Sequence, residues 1–284
     1  MVSDPLVSTD WLADRLAAPD IAVLDATWHL PTLARNARQE YVEAHVPGAR
    51  FFDIDEISDA SSPYPHMLPS PEQFSSRMRK LGIGDGKKVV VYDTYGIYSA
   101  ARAWWMFRVF GKEDVAVLDG GLKKWLAEGR PVESGEPPPP QDRHFTSRFQ
   151  SMMVRDRAEV AEISRRGAVQ LADARSPGRF AGTEPEPRAG VRSGHVPGAR
   201  NVPFGQLVNP DGTLKPPKEL AETFRRSGID PGRPTVSYCG SGVTAAIVAL
   251  ALATLGNHDN PVYDGSWAEW GSIQDLPLKT GTEP

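Results

Sequence analysis

The chain has 284 residues, 40% hydrophobic and 24% charged, with a formal net charge of −4, which suits a globular protein of one large or two ordinary domains. No basic stripe points to nucleic acid or an anionic membrane, the longest apolar run (Ala245 to Gly256) is too short to cross a bilayer, and the opening residues lack the pattern of a signal peptide. One cysteine, Cys239, cannot form an internal disulfide, which fits a reducing cytoplasm.

In chain order, "STDWLADRLAAPD" predicts a helix capped by Ser8 or Thr9. "VLDATW" follows around Asp25, then "HVPGAR" with His45. "PEQFSSRMRKLG" opens with proline and closes with glycine, the usual helix asymmetry. "KKVVVYD" and "VAVLDGG" are valine-rich bursts suited to strands buried on both faces. "PVESGEPPPPQDRHFTSRFQ" has neither helical nor strand periodicity and reads as a semi-extended linker. The series then recurs as "LADARS" around Asp173, "HVPGAR" with His195, helical "PKELAETFRRSG", "PTVSYCG", apolar "AAIVALALATLG" and "PVYDGSW".

Four segments match in the same order at offsets of 145–150 residues: Asp25 with Asp173, His45 with His195, Asp93 with Cys239, and Asp119 with Asp264. A period near half the chain means a duplicated domain rather than a solenoid. The expected bounds are 1–135 for the first copy, 136–152 for the linker and 153–284 for the second copy. Alternating β and α units predict an α/β fold, each copy a mainly parallel sheet with helices on both faces. Ligands bind beyond the carboxyl ends of such strands, where Cys239 falls.

"YCGSGVTAA" places Cys239 at the start of a small loop between a strand and a helix. Backbone N–H groups of such a loop converge, the helix adds its positive end, and Gly240 and Gly242 keep the cradle clear of side chains. A thiolate is the kind of anion this favours, and the thiolate is the nucleophile. The plainer reading is a small buried hydrophobe. The copies supply a control: the first has Asp93 at this position, followed by bulky "TYGIYSAARAWW", so it lacks the thiol chemistry. His45, His195, Asp25 and Asp173 occur in both copies and therefore read as serving the fold. His29, His66, His144 and His258 form no metal-ligand spacing.

Tandem "HVPGAR" with "GTEPEP", "VYDGSW" and "CGSGVTA" closely resembles the two-domain rhodanese-like sulfurtransferases, over about Trp11 to Trp270. "CGSGVT" resembles their 3-mercaptopyruvate-using branch. The resemblance implies a catalytic second copy and a non-catalytic first. Cys239 would take sulfur from the donor as a persulfide, release pyruvate, and pass the sulfur to thioredoxin, a small thiol or cyanide. It implies no metal and no organic cofactor. Arg179 and Arg188, in "GRFAGTEPEPR", match positions that grip the donor's carboxylate and keto groups. Gly240, Gly242, Val243 and Thr244 would line the donor site. Asp55 and His66, from the first copy, resemble a relay to Ser241, through which a proton would move as the enolate forms.

Three alternatives stand beside this reading. Phosphatases of the same architecture need an arginine six positions after the cysteine, and Ala245 stands there. A non-catalytic binding module fits the first copy but leaves Cys239 in its glycine-rich cradle unexplained. Thiosulfate sulfurtransferase activity is the nearest rival. Its representatives carry arginine and lysine where Gly240 and Ser241 stand.

Overall fold

The valine-rich bursts pair as parallel strands, as residues buried on both faces require. In the computed structural model, which describes residues 4–258 and 260–284, they build two five-stranded sheets. The first contains β1 (Leu6–Val7), β2 (Ile21–Asp25), β3 (Arg50–Phe51), β4 (Lys88–Tyr92) and β5 (Val115–Leu118), in spatial order β1-β5-β4-β2-β3. The second contains β6 (Val154–Arg155), β7 (Gln170–Asp173), β8 (Ala199–Asn201), β9 (Thr235–Tyr238) and β10 (Val262–Tyr263), in order β6-β10-β9-β7-β8. The two orders are identical once the numbering is shifted by five, and all the strand pairs are parallel.

The chain forms two compact units. The first contains residues up to Ser58, Pro69–Gln150 and Asn209–Leu214. The second contains Asp59–Leu68, Ser151–Val208 and Lys215–Pro284. Each unit thus includes one short segment from the opposite half of the sequence.

The shared signature residues support both sheets in the same way. His45 lies on the Tyr41 ring and bonds the Tyr41 carbonyl through Nδ1, while His195 does the same with Phe180. Val46 N–H donates to the Tyr92 hydroxyl and Val196 N–H to that of Tyr238, each at 3.1 Å. These histidines are buried and bonded to backbone, so their chemistry is spent on the fold. The helix expected from Ser8 runs over Thr9–Ala13, with the Ser8 hydroxyl accepting the Trp11 N–H. Pro71–Lys80 and Pro217–Arg226 are helices, both with proline in the first turn. The proline-rich run is extended, yet it is anchored to the first unit. Phe145 is buried against Phe74 and Phe107, and Thr146 bonds Asp85 through its N–H and its hydroxyl.

In the second sheet the connections after β7 and β9 run to opposite sides, β8 lying beyond β7 and β10 beyond β9. The switch point of this open sheet therefore lies between β7 and β9, where a crevice forms at the carboxyl ends. Register pairs Asp173 with Tyr238 at those ends, so the loops that follow flank one another.

Candidate active site

Cys239 follows directly on β9 and is only 2% exposed. The first unit shows what this position can hold. There Asp93, which follows β4, turns its carboxylate into its own loop. Oδ1 accepts the N–H groups of Tyr95 and Gly96 at 2.9 and 3.0 Å, and Oδ2 those of Tyr98 and Ala100 at 2.8 Å each. Burial pushes the Asp93 carboxyl above its ordinary range, and these four N–H groups oppose that rise. The first loop is thus an anion cradle filled by its own side chain. In the second unit Ser241, Gly242 and Thr244 correspond to Tyr95, Gly96 and Tyr98. Among the described residues no protein acceptor meets their N–H groups. Gly242 has φ 79° and Gly96 φ 116°, a backbone that favours glycine at this bend in both copies.

The Cys239 loop is fixed from below. Cys239 N–H donates to Ser266 Oγ at 3.2 Å, and Ser266 Oγ–H donates to the Tyr263 carbonyl at 2.8 Å. Trp267 and Ala268 N–H groups donate to the carbonyls of Cys239 and Gly240, both at 2.9 Å. Val243 and Thr244 are buried, and Thr244 precedes the apolar helix Ala245–Thr254.

His66 lies in the second unit. The segment that carries it is closed by a bond from Asp59 N–H to the Met67 carbonyl and tied down by Leu68 N–H on Asp264 Oδ2 at 2.7 Å. Its Nδ1 lies 3.0 Å from Ser241 Oγ, both residues buried. The matching segment in the first unit is tied down likewise, Leu214 N–H donating to Asp119 Oδ1 at 2.8 Å. Two residues before each leucine the backbone is left-handed: His66 at φ 62° and Gly212 at φ 90°. Ser266, at φ 50°, corresponds in turn to Gly121, at φ 52°. At both places the copy with the thiol carries a side chain where the other carries glycine. A non-glycine residue in this region costs on the order of 1–3 kcal/mol and is held only by a surrounding that needs it.

Arg179 is in the short helix Pro177–Ala181, capped by the Ser176 hydroxyl. Its Nε and Nη2 donate to Glu186 Oε1 and Oε2 at 3.2 and 2.5 Å. A Cβ placed on Gly240 would lie 3.0 Å from Arg179 Nη2, so the guanidinium rests against the cysteine loop. Arg188, partly buried, stands two residues beyond Glu186. Behind them Arg175 bridges Asp173 and Glu186, with Nη2–Oδ2 at 2.5 Å and Nη1–Oε1 at 2.7 Å, and its guanidinium covers the Trp267 ring at 4.3 Å. Burial alone would lower the Arg175 pKa, but Asp173 above all, with smaller contributions from Tyr238 and Glu186, outweighs it and holds the group above its ordinary value.

The geometry therefore brings together Cys239, Gly240, Ser241, Gly242, Val243, Thr244, His66 and Arg179. Asp55 is placed in the first unit, where its Oδ2 accepts Trp28 Nε1–H at 3.0 Å. Sequence reasoning missed Ser266, Arg175 and Glu186. "VYDGSW" against "VLDGGL" carried the first signal, a serine aligned with a glycine, and "LADARS" against "VLDATW" the second.

Residues 8–128 and 156–273 each match the rhodanese-like domain, and the chain belongs to that family. The human (Homo sapiens) 3-mercaptopyruvate sulfurtransferase is 45% identical over 271 residues, 93% of this chain and 91% of the human one. The Rattus norvegicus thiosulfate sulfurtransferase is 46% identical over 272 residues, again 93% and 91% of the two chains. Among solved structures, that of SseA from Escherichia coli, described as a 3-mercaptopyruvate sulfotransferase, matches with a TM-score of 0.86 at 42% identity, over 93% of this chain and 99% of SseA.

Proposed function

We propose that this protein is a 3-mercaptopyruvate sulfurtransferase working through a persulfide on Cys239. The observation that carries the reading is the pairing of Cys239 with Arg179, which rests on the adjacent Gly240 at the β7/β9 switch point. The Cys239 thiolate attacks the donor sulfur, the carbon–sulfur bond breaks, and its electron pair leaves on carbon as the enolate of pyruvate. Arg179 and Arg188 hold the carboxylate and keto oxygens and favour that enolate as charge develops. Ser241, hydrogen-bonded to His66, delivers the proton that converts enolate to pyruvate, and His66 resupplies it. Asp55 completes the relay, an assignment supported by the family resemblance.

An aspartate and a cysteine persulfide both extend two atoms beyond Cβ. The Asp93 carboxylate in its cradle of N–H groups supports a reading in which the N–H groups of Ser241, Gly242 and Thr244 hold the outer sulfur of a Cys239 persulfide. A thiolate acceptor, thioredoxin or a small thiol, then attacks that sulfur and Cys239 leaves as thiolate. The lone cysteine fits a cytoplasmic setting, and among the described residues no helix is long and apolar enough to cross a membrane.

Thiosulfate is the second donor to consider, because a thiosulfate sulfurtransferase is as similar as the mercaptopyruvate enzymes. The uncharged Gly240 and Ser241 favour mercaptopyruvate, since a compact dianion gains most from fixed positive charge beside the thiolate. The test supplies each donor alone and measures pyruvate or sulfite, with the persulfide trapped on Cys239 by mass spectrometry. Cys239→Ser should abolish transfer from both donors while remaining folded. Turnover in that variant, or a larger kcat/KM for thiosulfate in the unaltered protein, overturns the corresponding part of the reading.

A further inference from the structure

We propose that Glu186 is the positioning residue for Arg179 and, by neutralising it, sets which donor anion the site accepts; this rests on the mercaptopyruvate reading above. Its side chain is 3% exposed and receives Arg175 on Oε1 and Arg179 on both oxygens, so one carboxylate serves two guanidiniums. Asp173 and the Gly194 carbonyl take the rest of Arg175. The ladder Asp173, Arg175, Glu186, Arg179 holds two acids and two bases, a formal sum of zero.

The fold does not require this ladder. In the first unit Asp25, the counterpart of Asp173, is satisfied by the N–H and hydroxyl of Thr27, and Pro31 stands in place of Arg179. The first unit does hold one side-on pair, Arg35 Nε and Nη2 on Glu40 at 2.7 Å each, but there Nη1 is spent on the hydroxyl of the loop residue Tyr95 at 3.1 Å. Glu186 occupies Nε and Nη2 of Arg179 side-on, and no protein acceptor among the described residues takes Nη1. Arg179 thereby faces a ligand as a fixed donor with its charge already countered. A keto acid with one carboxylate profits from the directed hydrogen bonds. A compact dianion needs uncountered charge, which Glu186 removes.

Glu186→Gln keeps the shape and one acceptor but deletes the charge. The expected result is a rise of at least tenfold in the kcat/KM ratio of thiosulfate to mercaptopyruvate, with the thiosulfate value falling more steeply with ionic strength than in the unaltered protein. Glu186→Asp keeps the charge and shortens the reach. There KM for mercaptopyruvate should rise at least threefold, more than kcat falls, with the donor ratio near its original value. Circular dichroism and Tm identify folded variants, and Glu186→Asp carries the positioning test if Glu186→Gln does not fold. A folded Glu186→Gln with a donor ratio within threefold of the original, or a Glu186→Asp with unchanged KM, overturns the proposal. If the unaltered enzyme makes no pyruvate from mercaptopyruvate, the donor assignment fails by itself, and the charge effect is then read with thiosulfate alone: a folded Glu186→Gln whose kcat/KM for thiosulfate stays within threefold of the unaltered value overturns the proposal.

Discussion

His66 Nδ1 stands 3.0 Å from Ser241 Oγ across 175 residues of sequence, and it does so from a left-handed backbone at φ 62°. Gly212, in the corresponding turn of the first unit, has the same backbone sign without a side chain. The histidine is strained where glycine would fit. Strain of this kind persists where the side chain is used, so the fold pays for an imidazole beside the loop serine.

His66→Gly should therefore separate stability from activity. Relief of the left-handed strain opposes the loss of the hydrogen bond to Ser241 and of the buried ring's other contacts, so Tm should change little. Pyruvate formation in a single turnover should slow at least tenfold, while a preformed Cys239 persulfide is still discharged by thiols. A large drop in Tm, or an unchanged single-turnover rate, would assign His66 to the fold alone.

Asp93→Ala removes the acceptor of four loop N–H groups, two of them on the buried residues Gly96 and Ala100. Leaving buried donors unsatisfied costs about 1–3 kcal/mol each at most sites, so the first unit should lose several kcal/mol in denaturant unfolding. Sulfate or thiosulfate at high concentration should recover part of that loss by occupying the opened cradle. Stability equal to the unaltered protein would mean that the carboxylate is not the anion holding the loop.

Much of this was legible in the residues. The offsets joining Asp93 to Cys239 and Asp119 to Asp264 gave the duplication, and valine-rich bursts between helical stretches gave parallel sheets, because both signals are local and periodic. Cys239 stood out through its glycine-punctuated loop. The relation between Ser266 and Cys239 was hidden because it depends on a backbone dihedral and a bond across 27 residues. Glu186 was hidden because "EPEPR" reads as a solvated charged loop, and only the fold buries its carboxylate between two guanidiniums. The assignment of Asp59–Leu68 to the second unit and Asn209–Leu214 to the first was beyond reach too, since no composition change marks it.

Asp25 gives a pH prediction. Burial raises its carboxyl from 3.8 to about 6, against the lowering effect of Thr27. A folded value above the unfolded one means that the protonated form favours folding. Its contribution is complete below about pH 4 and is lost as pH rises through about 6, a change of roughly 3 kcal/mol at 1.36 kcal/mol per pKa unit. Asp25→Asn lacks this loss. Measured by urea unfolding, its stability relative to the unaltered protein should increase from pH 4 to pH 6 and then level off. A difference constant across that window would show that Asp25 does not titrate there.

Gly240 is the last test, and it concerns how finely Arg179 is placed. A methyl group at Gly240 would lie 3.0 Å from Arg179 Nη2, 3.7 Å from Nη1 and 3.9 Å from Cζ. The first distance is tighter than ordinary carbon contacts, so the guanidinium must yield by a few tenths of an ångström. Glu186 holds Nε and Nη2 in two hydrogen bonds, and Nη2 is the atom the methyl would crowd, so any retreat strains that pair. The backbone at Gly240 is not left-handed, so alanine brings no conformational penalty of its own and the contact with Arg179 is the main consequence. Charge-assisted hydrogen bonds are worth about 1.5–3 kcal/mol, and partial misalignment should forfeit a portion of that. Gly240→Ala should raise KM for mercaptopyruvate about three- to tenfold, with a smaller fall in kcat. The rate at which iodoacetamide alkylates Cys239 should change less than twofold, because the thiol and its cradle are left in place. An unchanged KM would mean that the arginine moves aside at no cost to binding. Equal losses in KM-independent turnover and in alkylation would place the effect on the cysteine loop instead of on Arg179.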